Sequence, residues 1–330
     1  MIRNSPSIPK YTGKEWEVQP LDALSLDEAV KKSLQPVKKH LLFSNERVCL
    51  YHSDVMQILN ELPDNEIQAV ITSPTYWGKR QFTNDSNEFG CESLEEYVDR
   101  NVLLYSTLLS KMKKGGSIFV VIQDSYMGSG VSRAHHNHWI SGNGYKRNGL
   151  DSERQGNTSS VTAGHKTIKN KSLCGLPYRI ALRLVDMGFL WRQQIIWQKP
   201  NPMPENVKDR AWQSVEYVLH FTNHGKYKFN REPFEVNGVN GKPRLPNQVI
   251  VASPEPKSGH SATFPTKVVE RLLLTVTDQD DLVFEPFLGS GTMLELSIKH
   301  NRRFIGCDIC EGFLNHAISI VEKSSLPISA

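Results

Sequence analysis

Short apolar runs alternate with amphipathic ones from Arg47 onward, and few folds are compatible with that rhythm. RVCLYHSD reads as a strand, DVMQILNEL as a short helix and EIQAVITSP as a second strand. SLEEYVDRNVLLYSTLLSKMKKGG follows as an amphipathic helix with a double-glycine stop, and SIFVVIQD as a third strand. Further on, LPYRIALRLVDMGF and TKVVERLLLTV have helical spacing, while LWRQQIIWQKP, SVEYVLHFT, DLVFEPF and RFIGCDI are strands. GSGTMLELSIKHN is a turn and helix, and EGFLNHAISIVEK closes the pattern as a helix. Strands alternating with helices predict an α/β fold, a doubly wound and mostly parallel sheet covered on both faces.

Two stretches break the alternation. Residues 125–172 carry seven Gly and seven Lys or Arg against two acids. A connection this long without periodicity is usually functional or disordered. Residues 223–258 form a second basic, proline-containing stretch. The first 44 residues are an N-terminal extension, polar apart from one helical candidate running from Ser25 to Leu34 and stopped by Pro36. The net charge of +4 permits a polyanionic partner without requiring one, so local clusters of basic residues must decide. Five scattered cysteines argue against a disulfide framework and for a reducing cytoplasm. No apolar run approaches the roughly 18–20 residues that span a bilayer, and the first residues have no apolar signal core.

Two strand ends carry the chemistry. The first is FEPFLGSGT, a strand followed by a glycine turn and a helix start. Glycine there lets the backbone take positive φ and lets a ligand approach closely. A phosphate loop would need a lysine after Gly291, where Thr292 stands, and a dinucleotide fingerprint would need a glycine or alanine where Leu294 stands. A nucleoside cofactor without phosphates fits what remains. Asp308, at the tip of the next strand, suits the two hydroxyls of a ribose. An ordinary strand–helix turn with a solvated Asp308 explains the same residues. The single CxxC pair, Cys307 and Cys310, and the loop histidines 135, 136 and 138 do not assemble four zinc ligands, so no metal is expected.

The second is Thr72-Ser73-Pro74-Thr75-Tyr76-Trp77, which follows the apolar run IQAVI. A planar amine would find hydrogen-bond acceptors in the Ser73 hydroxyl and in the main-chain carbonyls around Pro74 and Thr75. Tyr76 offers a stacking face, and Trp77 is expected to close the side of the pocket. Pro74 fixes φ and so holds the acceptors in place. A strand-terminating turn with core aromatics is the plainer explanation of the same six residues.

TSPTYW resembles the S/D/N-P-P-Y/F/W catalytic motif of the amino-methylating DNA methyltransferases, and FEPFLGSGT resembles their F-x-G-x-G motif for S-adenosylmethionine. The catalytic motif comes first, the circularly permuted order of the β class. HSATFP at 260–265 is similar to the family's motif X, and IIWQKPNPMPENVKDR followed by Glu216 is similar to its segment after the sixth strand. Asp54 stands where the family has a cofactor-side acid. The matches cover about residues 45–124, 175–222 and 258–320. Two departures are visible. Thr75 replaces the usual second proline, leaving that backbone less rigid although its carbonyl remains available. Glu285 stands where Asp is commoner.

The resemblance implies a Rossmann-like methyltransferase sheet of seven strands with the last hairpin strand antiparallel, and basic insertions for DNA recognition. It divides the chain into a catalytic part, 45–222, a candidate target-recognition region, 223–258, and an S-adenosylmethionine-binding part, 259–330. It implies catalytic roles for Ser73, Pro74, Thr75 and Tyr76. Cofactor contacts are implied for Glu285, Phe287, Gly289, Gly291, Thr292, Asp308, Asp54 and Phe264. Candidate DNA contacts are Trp77, Lys199, Asn201, Arg133, Lys146, Arg147, Arg231 and Arg244. Ser at position 73 is the form usual among cytosine-N4 enzymes, whereas DPPY is commoner for adenine-N6. The expected activity is therefore cytosine-N4 methylation of a base flipped from double-stranded DNA, with a cognate restriction endonuclease acting on the same site. Adenine-N6 methylation and a non-catalytic nucleic-acid-binding protein are the alternatives.

Overall fold

The structure, a computed structural model, describes residues 41–78, 88–128, 165–202, 204–236, 245–255 and 265–324. Its strands are β1 (Leu41–Ser44), β2 (Val48–His52), β3 (Ile67–Thr72), β4 (Met112–Ile122), β5 (Leu190–Gln198), β6 (Val215–Thr222), β7 (Glu235–Val236), β8 (Leu245–Pro246), β9 (Val249–Val251), β10 (Leu282–Glu285) and β11 (Arg303–Asp308). Its α-helices are α1 (Val55–Ile58), α2 (Leu94–Leu108), α3 (Leu176–Asp186), α4 (Thr266–Val276), α5 (Thr292–Lys299) and α6 (Glu311–Ser324).

A nine-stranded sheet runs in the order β1-β2-β11-β10-β3-β4-β6-β5-β9, and β7 and β8 form a separate pair. The five strands from β2 to β4 pair in parallel, and β6 lies antiparallel between β4 and β5. Among the described residues the expected seven strands of the sheet become nine: β1 adds an antiparallel edge to β2, and β9 a parallel edge to β5. Both are short, and β1 keeps Leu41 and Leu42 exposed, so neither carries a periodic signal. β1 lies within the predicted N-terminal extension and β9 within the candidate recognition region.

β3 is buried along its whole length because both faces of the sheet are covered. Val70 packs with Tyr97 and Leu104 of α2 and Ile180 of α3 on one face. Ile71 packs with Leu272 of α4, Leu294 of α5 and Leu314 of α6 on the other. Each such aliphatic side chain stabilises the fold by about 1.5–3 kcal/mol. α2 begins with a capping box in which Ser93 and Glu96 satisfy each other's backbone N–H groups. The double glycine does not end this helix. After α2 and one 3₁₀ turn, Met112 already belongs to β4, and Gly115 and Gly116 sit in a bulge that shifts the β3–β4 register, with the Gly115 N–H donated to Asn223 Oδ1 at 2.8 Å. Among the described residues no helix is long and apolar enough to cross a membrane.

Candidate active site

β2, β3, β10 and β11 release the chain at one edge of the sheet, and β5 adds its C-terminal end there. Because β6 runs the other way, its first residues arrive at the same edge. One cleft follows this edge, and it brings together Asp54, Ser73 to Tyr76, Glu285, Phe287, Gly289, Thr292, Asp308 and Lys199. Ligand sites of open α/β sheets lie outside the carboxyl ends of their strands, which is where these residues meet.

Tyr76 donates its hydroxyl to Glu216 Oε2, and Lys199 forms an ion pair with Glu216 Oε1. Glu216 is only 5% exposed, and these two partners take up its two carboxylate oxygens. The Lys199 ammonium also lies 4.9 Å from the centroid of the Trp197 ring. Burial, and then the Glu216 charge, push the Tyr76 phenol well above its usual range, so it stays a donor. Glu216 was visible in the sequence only as the end of a resembling segment; the reversed direction of β6 is what makes it a cleft residue.

Around the glycine turn, Asp308 accepts the N–H groups of Gly289 and Cys310, each at 2.8 Å. Burial nevertheless outweighs these bonds and raises its carboxyl from 3.8 to about 6. Burial also lifts Glu285 well above the usual carboxylate range, and its Oε1 has no hydrogen-bond partner among the described residues. Gly291, at φ 75°, is the N-cap of α5 and does not line the cleft. Asp54 caps α1 by accepting the Met56 N–H at 2.8 Å and pairs with Arg100 at 3.3 Å. An acceptor left unpaired in Glu285, the Asp308 carboxyl and the apolar Phe287 and Phe313 fit a nucleoside such as that of S-adenosylmethionine, and none of them serves a phosphate.

Two expectations change here. Trp77 does not wall the pocket: it is 1% exposed in the core, and its Nε1–H donates to the Glu92 carbonyl at 2.8 Å. The Thr75 carbonyl already accepts one hydrogen bond, from the Tyr97 hydroxyl at 3.0 Å, so one of its two lone pairs is taken. The segment 88–92 packs against this turn so closely that a Cβ on Gly90 would stand 3.1 Å from Thr75 Cγ2 and 3.3 Å from the Tyr76 carbonyl, at a φ of +97°. Phe89 of that segment reaches the cleft and meets Phe287 edge-on at 5.0 Å. Asn201 and Arg231 are exposed outside the cleft, Arg231 beside Glu235 at 3.7 Å. Phe264, Arg133, Lys146, Arg147 and Arg244 lie outside the described residues. Cys307 is buried and donates its thiol to the Ser53 carbonyl, and among the described residues no group of three or more His, Cys, Asp or Glu could hold a metal.

Comparison with known proteins gives the family. The DNA methylase family model for N6 and N4 enzymes matches residues 67–319. The chain is 30% identical over 298 residues to the type II methyltransferase M.Cfr9I of Citrobacter freundii, covering 88% of this chain and 94% of that one. It is 28% identical to M.SmaI of Serratia marcescens, covering 84% and 91%. In fold it is similar to the PvuII cytosine-N4-specific DNA methyltransferase, with a TM-score of 0.62 at 19% identity over 89% of this chain and 91% of that one. A putative DNA modification methylase of Thermus thermophilus, complexed with S-adenosyl-L-methionine, aligns with a TM-score of 0.53 at 19% identity over 84% and 96%. The chain belongs to the N6/N4 family of S-adenosylmethionine-dependent DNA methylases.

Proposed function

We propose that this protein methylates the exocyclic N4 of cytosine in double-stranded DNA, on a base flipped into the cleft, as the modification half of a type II restriction system. The observation that carries the reading is the meeting of the Ser73–Tyr76 turn and the Gly289 turn in one cleft. S-adenosylmethionine, when bound, supplies the methyl group; Glu285, Asp308, Asp54, Phe287 and the Gly289 turn would hold it. A stacked base cannot reach such a cleft, so extrusion from the duplex is required.

The target amine is conjugated with its ring, and its lone pair is a poor nucleophile. Ser73 Oγ and the Pro74 carbonyl accept its two hydrogens and favour a more tetrahedral nitrogen. The Thr75 carbonyl already serves Tyr97, which favours the Pro74 carbonyl as the main-chain acceptor of this pair. Tyr76, its hydroxyl fixed by Glu216, presents its ring to the base. Lys199 brings a partly buried positive donor to the same place, suited to the ring carbonyl and N3 acceptors of cytosine. Fixed acceptors and a near-attack arrangement supply the rate without a covalent enzyme intermediate. Lys and Arg of the two basic stretches would hold phosphates.

Adenine-N6 methylation uses the same architecture and is the second reading, since the family includes both. Ser73 and the PvuII likeness favour cytosine. Digestion of treated DNA to nucleosides, followed by mass spectrometry, is expected to give N4-methylcytosine; N6-methyladenine alone would refute the proposal.

A further inference from the structure

We propose that Tyr97 is a positioning residue of the catalytic turn, its hydroxyl restraining the backbone at Thr75 as a proline ring in that position would. The proposal rests on the reading of Ser73–Tyr76 as the catalytic turn. Thr75 adds a free φ rotation immediately after the one residue, Pro74, whose φ is fixed. A peptide that rotates there moves the Pro74 carbonyl and Ser73 with it. The bond from Tyr97 to the Thr75 carbonyl, 3.0 Å long, opposes that rotation.

Tyr97 is suited to the task by its surroundings. It is fully buried, in the first turn of a helix fixed by a capping box, and the Phe89 ring meets it edge-on at 5.6 Å. Burial raises its phenol far above the usual range, so the hydroxyl remains a donor at every working pH. Two other bonds tie the same turn to the same segment: Trp77 Nε1–H to the Glu92 carbonyl at 2.8 Å, and the Gly78 N–H to the Gly90 carbonyl at 2.9 Å. Both act after Tyr76. Tyr97 alone of the three holds the backbone on the Ser73 side.

The test compares the full-length protein with Tyr97→Phe, Thr75→Pro and the double variant. Tyr97→Phe is expected to lower kcat roughly tenfold, the worth of one buried hydrogen bond, with S-adenosylmethionine affinity by calorimetry unchanged. Thr75→Pro on its own is read only as the reference for the double variant, in which it should return part of the kcat that Tyr97→Phe loses. Hydrogen exchange of the peptide covering residues 73–78 should quicken in Tyr97→Phe and slow again in the double variant. Unchanged kcat and exchange in Tyr97→Phe, or a double variant whose kcat relative to Thr75→Pro falls as far as that of Tyr97→Phe relative to the parent, would each overturn the proposal. A lower melting temperature with unaltered kcat would do the same, because it describes a structural role only. Exchange that loosens and recovers in a protein that methylates no DNA would uphold the restraint and refute the catalytic reading instead.

Discussion

Acidification should weaken S-adenosylmethionine binding through Asp308, and the structure sets both the sign and the scale. In the free protein burial holds the Asp308 carboxyl at about 6 against an ordinary 3.8, with Glu88 adding a smaller upward push. The ribose hydroxyls of a bound nucleoside would donate to the ionised form, so binding lowers this value. Affinity is then full above about pH 7 and falls as pH drops through 6, approaching tenfold per unit, until the carboxyl of the complex also protonates. If binding returns the group to its ordinary value, the total loss is about two orders of magnitude, or ~3 kcal/mol at 1.36 kcal/mol per unit. The sign for the free protein is opposite. A folded value above the unfolded one means that the ionised carboxylate opposes folding, so this group's contribution is fully favourable below about pH 4 and is lost as pH rises through about 6. Titration calorimetry between pH 5 and 8, in two buffers of different ionisation enthalpy, counts the proton released. Asp308→Asn should bind more weakly at pH 8 and lose the pH dependence. Affinity that stays level from pH 8 to 5 would mean that no proton is linked to binding and would refute the reasoning, while proton release that persists in Asp308→Asn would show that another group, such as the buried Glu285, carries the linkage.

Ser73→Ala should reduce kcat by about 10²-fold, the usual worth of one preorganised hydrogen-bond partner, with cofactor affinity intact; turnover at the parental rate would remove Ser73 from the reaction. Gly289→Val should abolish cofactor binding in calorimetry, since a branched side chain would sit in the turn at φ 52°, and retained binding would place the nucleoside elsewhere. Glu216→Ala leaves the partly buried Lys199 charge without its acid, so urea denaturation should show a loss of up to about 3 kcal/mol, the lower end for a buried pair. Lys199→Met in that background should recover part of the stability while methyl transfer stays low; simple additivity of the two changes would mean that the pair is not coupled.

The sheet and the two site motifs were legible in the sequence for one physical reason: parallel strands buried on both faces must be apolar along their length, as β3 is. Their ends are therefore marked by the first polar or turn-forming residue, Ser73 after one strand and Glu285 and Asp308 at two others. The double glycine misled because the same residues that stop helices also make bulges, and only the register of β4 against β3 shows which use was made. The edges β1 and β9 were missed because four- and three-residue strands have no period to detect.

What escaped is of another kind. Whether Trp77 faces a ligand or the core depends on a carbonyl fifteen residues away at Glu92, and whether Thr75's carbonyl is free depends on a tyrosine on the next helix. On the helix, Tyr97 is one more large residue on a buried stripe, indistinguishable in pattern from Leu104. Glu216 is likewise unremarkable until the strand that carries it is known to run backwards between β4 and β5. A motif of consecutive residues thus states which groups do the chemistry, while the residues that hold those groups still come from wherever topology brings a chain past. Thr75 shows how the two are linked: relaxing one position of the motif shifts the restraint onto a side chain outside it. The site is defined by the pair, since the motif departs from its usual form at the one place where Tyr97 holds the backbone.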